Sequence, residues 1–119
     1  MRQLNDKRLY VNMNYPDDET GQVLAEMHQA GVDLSQSYKI VFFHLFEQES
    51  QSKLMAEHIQ QNFPLATLDL HPDETPNVWD LDITLTIVPT HEAITAQEAE
   101  FEKIATQFSG YNDGWGIEA

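Results

Sequence analysis

Across residues 79–88 apolar and polar side chains alternate: Trp79, Leu81, Ile83, Leu85 and Ile87 stand against Asp80, Asp82, Thr84 and Thr86. A period of two sends one set to each face of a pleated sheet. The stretch therefore reads as a strand with one buried face and one wet, partly acidic face. The run Tyr38-Lys39-Ile40-Val41-Phe42-Phe43-His44-Leu45-Phe46 is β-branched and aromatic at both parities, which predicts a central strand covered on both sides. Residues 65–70 predict a short strand. The following His71-Pro72-Asp73-Glu74-Thr75-Pro76 reads as a turn, because proline has no N–H for a sheet ladder. Residues 111–118 predict a last strand, interrupted by Gly114 and Gly116.

Between these runs the period lengthens. Pro16, Asp17, Asp18 and Glu19 suit a helix N-terminus, Val23, Leu24 and Met27 fall on one face, and Gly31 is placed to end the helix. Glu49 or Ser50 opens a second helix carrying Leu54, Met55, His58, Ile59 and Phe63, closed by Pro64. Thr95-Ala96-Gln97-Glu98 has capping-box spacing, so a third helix is expected from Thr95, with Ile94, Phe101, Ile104, Ala105 and Phe108 as its stripe and Ser109-Gly110 as its end.

The order is α-β-α-β-β-α-β. Without the leading helix this is the β-α-β-β-α-β of a ferredoxin-like α+β sandwich, with two helices on one face of a four-stranded antiparallel sheet. The other face would carry Asp80 and Asp82 and be open, or covered by the leading helix or a partner. No repeat or linker divides the chain, so we expect an N-terminal extension over residues 1–14 and a single domain over 15–119.

Charge narrows the function. Twenty acidic residues against six basic ones give a net charge of −14, and Arg2, Lys7 and Arg8 account for half of the basic side chains. Such a surface repels phosphate backbones and anionic lipid and attracts a basic partner. It equally confers solubility. Cysteine is absent, which excludes disulfides and thiolate chemistry and suits a reducing cytoplasm. No apolar run approaches the ~20 residues that span a bilayer, and no apolar segment of signal-peptide type follows the N-terminal basic residues.

Chemical motifs are sparse. His91-Glu92-Ala93-Ile94-Thr95 begins like the zinc-protease H-E-x-x-H, but Thr95 stands where the second histidine is required. His28, His44, His58 and His71 show no metal-ligand spacing, and His44 and His58 sit in apolar surroundings that suit structural histidines. Phosphate-binding glycine loops and a nucleophile elbow are missing. An RNA-binding sheet would carry basic and stacking residues where this one offers Asp80 and Asp82. We therefore expect no catalytic residues, no metal and no cofactor.

Three segments carry a resemblance. Tyr111-Asn112-Asp113-Gly114-Trp115-Gly116 resembles the terminal Y-D-G-W-G signature of the regulator of ribonuclease activity B family, protein inhibitors of RNase E. Val88-Pro89-Thr90-His91-Glu92-Ala93-Ile94-Thr95 resembles a segment of one broad branch of that family, and Pro16-Asp17-Asp18 with Gly31-Val32-Asp33-Leu34-Ser35 resembles its opening. The resemblance implies a ferredoxin-like fold and a cytoplasmic protein that binds a ribonuclease of RNase E type and lowers its activity. A basic, arginine-rich segment of that target would complement the acidic surface.

On this reading Asp80, Asp82, Asp113, Trp115 and Glu118 are the candidate partner contacts, and His91, Glu92, Gly114 and Gly116 are family-motif positions. Each has a plainer explanation. Trp115 and Tyr111 could complete the core, the glycines could permit a bulge or a close backbone approach, and any one carboxylate could be a solvated surface charge. Two other functions stay open: a small ligand-binding or enzymatic domain using His91, Glu92 and Asp113, and a homodimer covering the second sheet face.

Overall fold

The computed structural model describes residues 18–118. Tyr15, Pro16, Asp17 and the expected extension over 1–14 lie outside them. The elements are α1 (Glu19–Gln29), β1 (Tyr38–Phe46), α2 (Glu49–Asn62), β2 (Thr67–Pro72), β3 (Trp79–Ile87), α3 (His91–Gln107) and β4 (Gly110–Glu118). The four strands form one antiparallel sheet in the order β2-β3-β1-β4, the topology expected of a ferredoxin-like α+β sandwich.

Each helix begins and ends for a local reason. Asp18 caps α1 by accepting the Gly21 N–H at 2.7 Å. Gly31, at φ 91°, closes it with paired bonds from Gly31 N–H to the His28 carbonyl and from Val32 N–H to the Met27 carbonyl. In α2, Met55 and Ile59 turn inward while Leu54 stays half exposed, and Phe63 caps the C-terminus ahead of Pro64.

Two boundaries differ from those expected. α3 begins at His91, not Thr95: Thr90 is the cap, its hydroxyl oxygen accepting the Ala93 N–H at 3.0 Å. Thr90 has the extended backbone a cap needs, whereas Thr95 is one turn into the helix and donates to the His91 carbonyl at 2.8 Å. Glu98, the supposed reciprocal partner of Thr95, accepts instead from Asn112. β2 runs two residues further than expected and includes His71 and Pro72. It is an edge strand, so the N–H that Pro72 lacks is not demanded by a second neighbour. Leu65, expected inside the strand, is exposed.

The core lies on one face of the sheet. Ile40, Phe42 and Phe46 of β1 and Leu81 and Ile83 of β3 meet Met55 and Ile59 of α2 and Ile94, Phe101 and Ala105 of α3. Phe101 is its hub, with Phe42 and Phe63 packed edge-on at 5.4 and 5.1 Å between ring centroids. His44 is buried in the same layer, 6.0 Å from the Phe101 ring, and burial holds it below the ordinary histidine range. It is a neutral core histidine at pH 7.

Helix α1 adds Leu24 to this core and packs against α3. It therefore does not cover the opposite face. There Val41, Phe43 and Leu45 stand half-buried, paired across the ladder with Thr84, Asp82 and Asp80. No helix among the described residues is long and apolar enough to cross a membrane.

Candidate functional site

The C-terminal signature forms an irregular edge. Along β1 and β4, Phe42 pairs with Trp115 and His44 with Asn112, so Phe43 faces two residues, Asp113 and Gly114. This is a β-bulge. Gly114 takes φ 94°, in the left-handed region where a side chain is strained, and its N–H donates to the Asn112 side-chain oxygen at 3.0 Å. Gly116 is less constrained: a Cβ there would meet the Phe43 ring at 3.4 Å, an ordinary contact distance.

Past the bulge, Trp115 turns to the helix face beside Phe42 and packs on the core, and its Nε1–H donates to the Thr20 hydroxyl at 3.2 Å. Asn112 donates to Glu98 of α3 at 3.2 Å. His91, in the first turn of α3, lies 2.7 Å through Nε2 from the Asp18 carboxylate. Asp18 is held below the usual carboxylate range, chiefly by the Gly21 N–H it accepts and then by His91. It remains charged at neutral pH.

These bonds frame a cleft of about 670 Å³ between α1, α3 and β4. Asp18, Glu19, Glu98 and Asp113 supply carboxylates, Phe43 and Trp115 supply aromatic surface, and its lining contains no lysine, arginine or histidine. All three sequence segments that carry the resemblance thus reach one place, through Asp18, through Thr95, and through residues 112–115. The sequence profile described as Regulator of ribonuclease activity B (RraB) matches residues 17–117. The chain belongs to the regulator of ribonuclease activity B family. No curated protein matches it.

A second acidic group of this regulator B domain lies on the open sheet face, outside the cleft lining. Adjacent strands place His71 opposite Asp80 and Asp69 opposite Asp82. The His71 ring sits 3.3 Å from Asp80 through Nε2 and 3.5 Å from Asp69 through Nδ1. Asp69, His71 and Asp82 each bring a ligating atom within 4.8 Å of the others, a grouping the isolated histidines of the sequence did not suggest. Asp80 is pushed up to about 6, first by loss of solvent and then by the neighbouring Asp73. Burial likewise raises Asp82. Asp73 moves the other way, lowered mainly by hydrogen bonds from Thr75.

The candidate contacts are therefore divided. Asp113 and Trp115 line the cleft, whereas Asp80 and Asp82 stand on β3, across the ladder from Leu45 and from Phe43 of the lining. Glu118 pairs across the ladder with Lys39, at the opposite end of β4 from the start of that strand. Of His91, Glu92 and Asp113, Asp113 lines the cleft, His91 is bonded to the lining residue Asp18, and Glu92 is exposed outside the lining. Sequence reasoning missed Thr20, and it read Glu98 only as a capping residue and Asn112 only as part of the C-terminal signature, because the bonds that place them here join partners 14 or more residues away.

Proposed function

We propose that this regulator B domain binds a ribonuclease of RNase E type through a basic segment of the enzyme and lowers its activity, without catalysing a reaction or carrying a cofactor, in the cytoplasm. The observation that carries the reading is the charge of the folded domain: among residues 18–118 eighteen carboxylates are opposed by three lysines and no arginine. Such an imbalance accelerates encounter with a cationic segment and disfavours direct contact with RNA. Inhibition then acts on the protein, not on its substrate.

The test is RNA cleavage by purified full-length RNase E with increasing amounts of the domain, at about 50 mM and about 300 mM salt, a span over which exposed charge attraction is progressively screened. Dose-dependent inhibition at low salt that weakens at high salt supports the reading. Unchanged cleavage at both salts, with no association by light scattering, removes it. An RNA mobility shift caused by the domain alone would also contradict it.

A further inference from the structure

We infer that the cleft between α1, α3 and β4 is the docking site for a basic peptide segment, seating an arginine side chain among Asp18, Glu98 and Asp113 against the Trp115 ring. The source of the peptide rests on the proposed function; the chemistry of the site rests on the cleft.

Four features converge. The first is concavity: the volume of about 670 Å³ lies within the range of sites that enclose a ligand, ~300–1,000 Å³. The second is one-sided charge, since four carboxylates line the cleft and no lysine or arginine does, with His91 meeting Asp18 from outside the lining. The third is preorganisation. Asp18 is fixed by Gly21 and His91, and Glu98 by Asn112, so two carboxylates are held in place before any ligand arrives. A guanidinium meeting fixed acceptors loses less ordering entropy than one meeting free surface side chains. The fourth is the aromatic wall, because a guanidinium over an indole or phenyl face gains a cation–π contact.

The open sheet face lacks this combination. Its Asp69 and Asp80 flank the His71 ring, whereas Trp115 stands beside the cleft carboxylates. The cleft, in contrast, draws its carboxylates from three elements, α1, α3 and β4.

The experiment is a titration of the ¹⁵N-labelled full chain with a nine-residue arginine-rich peptide at about 50 mM salt, against an uncharged glycine–serine peptide of equal length. The readout is the Trp115 indole N–H resonance, with Trp79 as internal reference. The arginine peptide should shift Trp115 saturably and the control should not. Asp113→Asn should weaken binding about fivefold, the scale of one charged contact of ~1 kcal/mol. Asp80→Asn with Asp82→Asn should change it less than twofold. Among the described residues the Asp113 side chain makes no hydrogen bond or ion pair, so its variant keeps the test valid even if Glu98→Gln loosens the Asn112 contact.

Binding that is weakened by the Asp80 and Asp82 substitutions but not by Asp113→Asn overturns the cleft and leaves ribonuclease binding intact. No binding of the arginine peptide at about 50 mM salt overturns the cleft and the charge-based function together. A shift of Trp115 on neutralising Arg2, Lys7 and Arg8 without added peptide would make the occupant this chain's own N-terminus and overturn docking of a partner.

Discussion

The Trp115 indole N–H donates to the Thr20 hydroxyl at 3.2 Å, joining residues 95 positions apart in the chain. This bond ties the last strand to the first helix, across the helix-covered face of β4. It gives the signature tryptophan a structural duty as well as a place in the cleft wall. The packing and the binding explanations of Trp115 are therefore not alternatives: the same ring completes the core with one edge and lines the cleft with another.

That duty can be measured. Trp115→Phe keeps an aromatic ring and removes the donor, and should lower stability by about 1 kcal/mol, the net worth of one partly buried hydrogen bond. Thr20→Val should cost a similar amount. In the double variant the two losses should not add, and urea unfolding of all four proteins gives the coupling directly. Full additivity would mean that the bond contributes nothing.

Three glycines of β4 should separate by mechanism. A Cβ at Gly110 would strike the Phe46 ring, which is fully buried and cannot retreat, so Gly110→Ala should cost about 2–3 kcal/mol by overpacking. Gly114 has open space but φ 94°, so Gly114→Ala should cost about 1 kcal/mol through backbone strain alone. Gly116→Ala, which only brushes Phe43, should cost least. Thermal unfolding in the order Gly110, Gly114, Gly116 checks the ranking, and a Gly116 variant worse than the other two would contradict it.

The start of α3 offers a direct comparison of two threonines. Thr90→Ala removes the acceptor for the Ala93 N–H and should destabilise by about 1 kcal/mol, whereas Thr95→Ala should be nearly neutral because its hydroxyl only returns to a helical carbonyl. Chemical denaturation of both variants decides it. A larger loss at Thr95 would restore that residue as the helix start.

Asp80 sets a pH dependence with a definite sign. Its folded value of about 6 lies above the ordinary 3.8, so the native state holds a proton that the unfolded chain has released. The stabilisation from this group is complete below about pH 4 and is lost as pH rises through about 6. Asp80→Asn removes the need to ionise, and should raise stability by roughly 1–2 kcal/mol at about pH 7.5 while changing little at about pH 4. Urea midpoints at the two pH values test this. Equal effects at both would show that the carboxylate is not under strain.

Much of the fold was legible because it follows from local periodicity. The alternation from Trp79 and the double-sided apolar run of β1 identified both central strands, since a strand buried on one or two faces writes its burial directly into the parity of its side chains. The helix-ending role of Gly31 was equally visible, because the closure needs a residue tolerant of positive φ. The start of α3 was less clear. Two threonines five residues apart both suit a cap, and the choice fell to the one whose backbone leaves the strand after Pro89.

The sequence by itself determined the element order, the core faces, the acidic balance and the family signature, since each depends on residue type and short-range spacing. Tertiary structure alone decided which acidic residues share a site. Asp18, Glu98 and Asp113 become neighbours only when α1 lies against α3 and β4 bulges opposite Phe43, while Asp80 and Asp82, equally acidic in the sequence, stand on β3 outside the lining. Charge adds along a chain in any conformation, but a binding site depends on distances, and those are set by packing.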